Sequence, residues 1–282
     1  MTPINQYHQL CGEISELITH RYSTSFTKGI KLLHRSIHKE IYSIYGFVRL
    51  TDEIVDTFHN HDKKALLDQL KEQTWQAINE KISTNPVLHA FQITYHKFQF
   101  TPDLVEAFFR SMEMDLTQSR YDDLLYNEYI YGSAEVVGLM CLHVFTDKNK
   151  ELYNQLIKPA KRLGAAFQKV NFLRDLKSDF AERGRTYFPK VDFTRFSNED
   201  KQNIESDIDA DFKAAYPAID ILPEKVQPGV YTAFIYYREL FYKIQKTPAS
   251  RIQQTRIRVP DWHKLILLGR TYIRYPSRIL SW

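Results

Sequence analysis

The stretch FQKVNFLRDLKSD, residues 167–179, decides the reading of this chain. On a helix turning about 100° per residue, with Asn171 at zero, Gln168 falls at about 60°, Asp175 at about 40° and Asp179 at about 80°. These four polar residues form one stripe. Arg174 sits on its shoulder and Lys177 points away. Asn and Asp are poor residues for the middle of a helix, so a stripe of them needs a reason. A second stretch, IYSIYGFVRLTDEIVD at 41–56, repeats the logic. Tyr42, Tyr45, Arg49, Asp52, Glu53 and Asp56 share one face, with Asp52 and Asp56 one turn apart. Ile44, Phe47, Val48 and Val55 fall elsewhere, as core positions. Carboxylate pairs at this spacing suit a hard divalent cation, which takes carboxylate oxygens together with water and substrate phosphates. The flanking Arg49 and Arg174 suit phosphate oxygens. Each stripe alone reads equally as a solvated acidic face, the first with an Arg49–Asp52 ion pair. Two stripes, each with an adjacent Arg, favour two helices facing one another across a cleft.

The rest of the chain agrees with a helical protein. Its 282 residues are 43% hydrophobic and 26% charged. Only 9 are Gly, about 3% where roughly 7% is usual, which argues against a turn-dense β protein or a glycine-loop nucleotide fold. Apolar periodicity predicts helices at 5–20, 35–57, 63–80, 87–97, 103–117, 126–145, 150–180, 199–215, 229–246 and 262–274. Turn signals separate them, and Pro159 offers an alternative start for the seventh. The expected fold class is all-α, one domain over 1–282.

Two cysteines, Cys11 and Cys141, cannot form a disulfide framework or a cysteine zinc site, which points to a reducing compartment. His59 and His61 in FHNHD lack a third spaced ligand and read as a surface loop. The first twenty residues do not have the pattern of a signal peptide. No apolar run approaches the ~20 residues of a membrane span. Val136 to Phe145 comes nearest and contains His143. The expectation is a cytoplasmic protein, soluble or peripheral at the inner membrane face. Formal net charge is +4, with seven basic residues from Arg251 to Arg278 against Asp261 alone. That tail suits anionic lipid, nucleic acid or a diphosphate, and equally a solvated surface; no nucleic-acid motif accompanies it.

The two stripes, with YSTSF (22–26), SMEMDL (111–116), YIYGSAEVVG (129–138) and GRTYFP (184–189), resemble the squalene/phytoene synthase family. QxxNxxRDxxxD stands unbroken at 168–179. The resemblance implies an isoprenoid synthase fold, with helices around a deep central cavity and the Asp motifs at its mouth. It implies Mg²⁺, or Mn²⁺ in its place, held by Asp52, Asp56, Asn171, Asp175 and Asp179. Two allylic isoprenoid diphosphates would be the substrates, contacted by Ser25, Phe26, Tyr45, Arg49, Gln168 and Arg174. Val137 and Gly138 would line the cavity, with Leu139, Met140 and Phe167 as further wall candidates. Tyr129, Tyr131 and the displaced diphosphate are candidates for deprotonation. Asp52, Asp56, Asp175, Asp179, Arg49 and Arg174 carry the ionisation. The implied reaction joins two geranylgeranyl diphosphates through a cyclopropyl diphosphate to phytoene, in carotenoid biosynthesis, with no NADPH expected. A C15-using squalene or dehydrosqualene synthase is the close alternative. A non-catalytic assembly or binding protein on the same fold is a remote one, since such a relative would be expected to lose its aspartates. Glu135, among small residues, would be costly to bury without a partner; an Arg or the metal site is the expected one.

Overall fold

Side-chain caps fix where the helices begin. Ser23 accepts from the Phe26 amide, Asp62 from Ala65, Asn85 from Val87 and Asn149 from Leu152, while Ser197 and Asp200 form a reciprocal capping box. The computed structural model describes residues 2–179 and 184–280. Its helices are α1 (Pro3–Tyr22), α2 (Thr24–Lys31), α3 (His38–Thr57), α4 (Lys63–Glu80), α5 (Pro86–Phe98), α6 (Pro102–Thr117), α7 (Asp123–Ile130), α8 (Val136–Thr146), α9 (Lys150–Lys177), α10 (Asn198–Ala215), α11 (Gln227–Gln245), α12 (Ala249–Ile252), α13 (Asp261–Arg274) and α14 (Pro276–Leu280). The only strand-like pairing among the described residues is an isolated bridge between Arg120 and Thr186. The fold class is all-α, as the sequence predicts.

Three elements bear on the expectation. First, α2 was not foreseen: eight residues with Gly29 and two Thr give little periodic signal. Second, the alternative start at Pro159 is not taken: α9 begins at Lys150 and runs through Pro159, as the predicted span has it. The proline removes the amide that would bond the carbonyl of Gln155, and Gln155 is exposed, so water can take its place. The predicted end of this helix, Phe180, lies outside the described residues. Third, the segment Asp123–Thr146 is one continuous helix with the length and hydropathy of a membrane span, contrary to the sequence reading. Half of it is buried, against α6 and α9, which makes it a core helix here.

Two cores form. In one, Phe47 of α3 stacks on Phe91 of α5 at 4.0 Å between ring centroids, beside Phe108 and Phe109 of α6. In the other, Phe172 of α9 stacks on Tyr187 at 4.0 Å, and Phe212 meets Phe241 of α11. A cavity of about 1170 Å³ is walled by residues of both cores. This exceeds the roughly 300–1,000 Å³ usual for small-ligand pockets.

Candidate active site at the cavity mouth

From α3, the cavity receives Ile41, Ile44, Tyr45, Val48, Arg49, Asp52, Val55 and Asp56. The inward face is therefore rotated from the predicted stripe toward its apolar side. Tyr42 is not on it: the ring is buried against His20 and His38. Ile44, Val48 and Val55 pack in the core as expected and also back the cavity wall. Arg49 pairs with Glu53, lies 4.0 Å from Asp52 and stacks its guanidinium 4.3 Å from the Tyr22 ring centroid. Its Nε is buried with no hydrogen-bond partner.

From α9 come Phe167, Gln168, Asn171, Phe172, Arg174 and Asp175, with Ser178 and Asp179 just beyond the helix. Asn171 donates to Gln168 Oε1 at 3.4 Å and accepts from the Tyr237 hydroxyl at 3.3 Å. Asp175 is held by Arg174 and by Arg256 of the chain after α12, the latter at 2.8 Å. Ser25 and Phe26 of α2 also line the cavity, Phe26 against Tyr45 and Tyr237.

The link between the two acidic helices is Arg185, which follows the second motif. Its backbone amide donates to the carbonyl of Asp179 at 2.8 Å. Its side chain reaches Asp56 at 3.6 Å and Asp115 at 3.4 Å, and donates to the Asp115 carbonyl at 2.7 Å. Asp115 in turn accepts from the hydroxyls of Tyr129, at 2.8 Å, and Tyr187, at 3.2 Å. Asp115, Arg185, Tyr187 and Tyr237 are site residues to which the sequence reading gave no role; Arg256 and Lys264, also on the cavity, belong to the basic tail, for which that reading left a diphosphate open. Asp115 and Arg185 both stand in quoted motifs, SMEMDL and GRTYFP. Their signal was there, but neither sits on a recognisable stripe.

Electrostatics follow from this crowding. Burial first, then repulsion from Asp56, raises the Asp52 carboxyl to about 7, with Arg49 pulling the other way. A third of its side chain is exposed (32%), but to the cavity. Burial also lifts Asp115, to about 6, against the pull of Arg185 and Tyr129. Burial disfavours charge on Arg185, yet Asp115 and Tyr187 outweigh it and keep the guanidinium firmly protonated. Tyr129 is pushed well above the ordinary phenol range by burial and by Asp115, so it keeps its proton.

The α7–α8 segment supplies Tyr129, Ser133, Ala134, Val137, Gly138, Cys141, Leu142 and Phe145 to the wall. Two expectations change. Tyr131 is not on the lining: it lies under Lys161, at 4.8 Å, outside the cavity. Leu139 and Met140 are buried in the core instead. Residues 131–135 form one turn of π-helix, and in α8 beyond it the lining residues recur at ordinary helical spacing, which leaves Leu139 and Met140 facing away. Glu135 meets neither an Arg nor the metal motifs; it pairs with Lys161 at 3.0 Å.

No group of three or more His, Cys, Asp or Glu side chains among the described residues forms a ready-made metal cage. His59 and His61 are exposed in the turn after α3, as expected. The donors present still fit Mg²⁺. They are carboxylate and amide oxygens in pairs, and Asp52 and Asp56 repel each other without a cation between them. Mg²⁺ usually takes one or two carboxylates and leaves the remaining positions to water and substrate phosphate.

Fold and site together define a helical protein that sets two acidic motifs on one large cavity. The squalene/phytoene synthase family model matches residues 19–263, and the chain belongs to that family. Phytoene synthase of Arthrospira platensis is 28% identical over 95% of this chain and 94% of its own length. The chloroplastic phytoene synthase 1 of Arabidopsis thaliana is 31% identical over 70% of this chain and 47% of its own, so the match spans about half of that relative. A crystal structure of a dehydrosqualene synthase in complex with ligand superposes with a TM-score of 0.83 at 22% identity, covering 98% of this chain and 100% of that one. Squalene synthase HpnC from Alicyclobacillus acidocaldarius gives 0.73 at 19%, covering 87% and 96%. The chain has the isoprenoid synthase fold and belongs to a family of prenyltransferase-type enzymes that act on isoprenoid diphosphates.

Proposed function

We propose that the protein condenses two geranylgeranyl diphosphates head to head, giving phytoene for carotenoid biosynthesis. The observation that carries this reading is Arg185, which ties the end of α9 to Asp56 and Asp115, so that both acidic motifs line one large cavity. Asp52 and Asp56 on one side, and Asn171, Asp175 and Asp179 on the other, would hold Mg²⁺. Bound there, the cation would neutralise charge developing on a departing diphosphate. Arg49 and Arg174 face the same space and supply donors fixed before the charge appears. Asp175 is paired with Arg174 and Arg256 in this state, so a diphosphate that recruits those arginines would free the carboxylate.

Once the first diphosphate leaves, the allylic cation must be shielded from water. Phe26, Val137, Gly138, Cys141 and Phe167 provide an apolar wall for that. The second substrate's C2–C3 double bond attacks the cation, and proton loss closes a cyclopropane that still carries a diphosphate. Tyr131 is outside the cavity and Tyr129 keeps its proton, which leaves the displaced diphosphate as the proton acceptor. A second ionisation and rearrangement then end in proton loss, so no NADPH is required. The test is product analysis with C15 and C20 diphosphates, each with and without Mg²⁺ and NADPH. A C40 hydrocarbon from the C20 substrate with Mg²⁺ alone is the expected result. A C30 product from farnesyl diphosphate, with the C20 substrate inert, would select the squalene or dehydrosqualene reading.

A further inference from the structure

Helix α13 lies on α11. Leu267 and Thr271 are buried, Thr271 shares a 2.9 Å hydrogen bond with Thr232, and Tyr236 donates to the Lys264 carbonyl. The opposite face is apolar and bare. Trp262, Leu265, Ile266 and Ile273 are 63%, 59%, 54% and 82% exposed. At about 100° per residue they fall within one arc of roughly 100°. Single exposed apolar residues are ordinary; four in register on one helix mark a docking surface.

Two features choose its occupant. The first is charge: from Trp262 to Leu280 there is no carboxylate in the sequence. Arg258 and Arg270 are exposed and make no ion pair among the described residues. The second is position. Arg258, Pro260, Asp261 and Lys264 line the cavity, and Lys264 donates to Thr24 of α2 at 3.0 Å across its rim. The bare stripe therefore starts where the cavity opens.

We propose that the outer face of α13 docks the protein on an anionic lipid bilayer, with the cavity rim against the lipid. Trp262, Leu265, Ile266 and Ile273 enter the headgroup–acyl boundary, and Arg258 and Arg270 meet anionic headgroups. This rests on the proposed function in one respect: an isoprenoid diphosphate is an amphiphile that a bilayer stores, and the hydrocarbon product dissolves there and not in water. Two other arginines of the basic tail are already engaged: Arg274 is committed to Asp220 at 2.8 Å and Arg278 to Glu224 at 3.0 Å.

The experiment is flotation of the full chain with phosphatidylglycerol–phosphatidylcholine vesicles and with phosphatidylcholine vesicles, at low and high salt. The variants are the double change Ile266→Glu with Ile273→Glu, and Arg270→Glu. Wild type should float with the anionic vesicles and be released by salt. The double variant should lose about tenfold or more in partitioning, and Arg270→Glu a smaller, salt-dependent part. Turnover of detergent-dispersed substrate by the double variant should stay within about twofold of wild type, since neither isoleucine touches the cavity. Absence of wild-type flotation, or equal flotation by the double variant, would overturn the proposal. So would a solution dimer dissolved by the double variant, which makes the face a contact between two copies. Flotation needs no turnover, so a wild type that floats but releases no diphosphate counts against the function and for the docking.

Discussion

Asp52 is held in a place where its own charge is unwelcome. Its carboxyl titrates at about 7 when folded, against an ordinary 3.8. Between those values the folded state binds more protons than the unfolded one, so this group's contribution to stability falls as pH rises and is lost through pH 7. Asp52→Asn cannot ionise. In the absence of divalent cation, its Tm relative to wild type should rise between pH 5.5 and pH 8, measured by circular dichroism with a chelator. Comparing the two proteins cancels the titration of His89 and His143, which burial lowers in both. A gap that is flat or shrinks over that range would remove Asp52 from the strained pair. With Mg²⁺ and substrate the order reverses: the Asn variant should lose diphosphate release by orders of magnitude, because the cation has one carboxylate fewer to hold it. Arg185→Lys tests the link between the motifs. Lysine keeps the charge but has no planar fork to reach Asp56, Asp115 and the Asp115 carbonyl together. Turnover should drop at least tenfold, about 1.4 kcal/mol or more, and unchanged kinetics would reduce Arg185 to a surface contact.

At the scale of elements, the π turn at 131–135 depends on close backbone approach. A Cβ on Gly132 would stand 2.3 Å from the Ala107 carbonyl oxygen and 2.7 Å from Ser111 Cβ. Gly132→Ala must push the turn off α6 and should cost about 2–3 kcal/mol. Gly269 in α13 has nothing within 4 Å of its Cβ position. Gly269→Ala should leave Tm unchanged or raise it, by up to ~1 kcal/mol of helix propensity. Thermal melts of the pair separate crowding from propensity; equal effects would mean the turn can yield. This turn also marks the limit of what the sequence shows. Periodicity located α4 to the residue and most other helices to within a few, because caps and apolar spacing are local. The two acidic motifs were legible for the same reason. A π turn has no spacing signal. Leu139 and Met140 were placed toward the cavity beside Val137 and Gly138, though four consecutive residues cannot share one helix face, and Cys141, one turn on from Val137, was not read as wall. Asp115 and Arg185 were invisible as partners because 70 residues separate them and only the tertiary fold brings them together.

At the scale of the whole molecule, the cavity decides which substrate the chemistry meets. Its wall from the π turn and α8 runs from Ala134 through Val137, Gly138, Cys141 and Leu142 to Phe145. Eleven residue steps at a helical rise of about 1.5 Å span roughly 16 Å. Cys141 lies past the midpoint of that wall, with its side chain on the cavity and no hydrogen-bond partner recorded among the described residues. Cys141→Phe would fill space at that depth without touching Asp52, Asp56 or Asp175. A C15 chain ends sooner than a C20 chain, so the shorter substrate should suffer less. The expected result is a fall in kcat/KM for geranylgeranyl diphosphate of about tenfold or more relative to that for farnesyl diphosphate, on the scale of a few lost methylene contacts. A melt within a few degrees of wild type would show that the fold has absorbed the ring. An unchanged ratio of the two substrates in a folded variant would place the tails on another wall, and the lining of α2 and α11, with Phe26 and Tyr237, would then be where length is read.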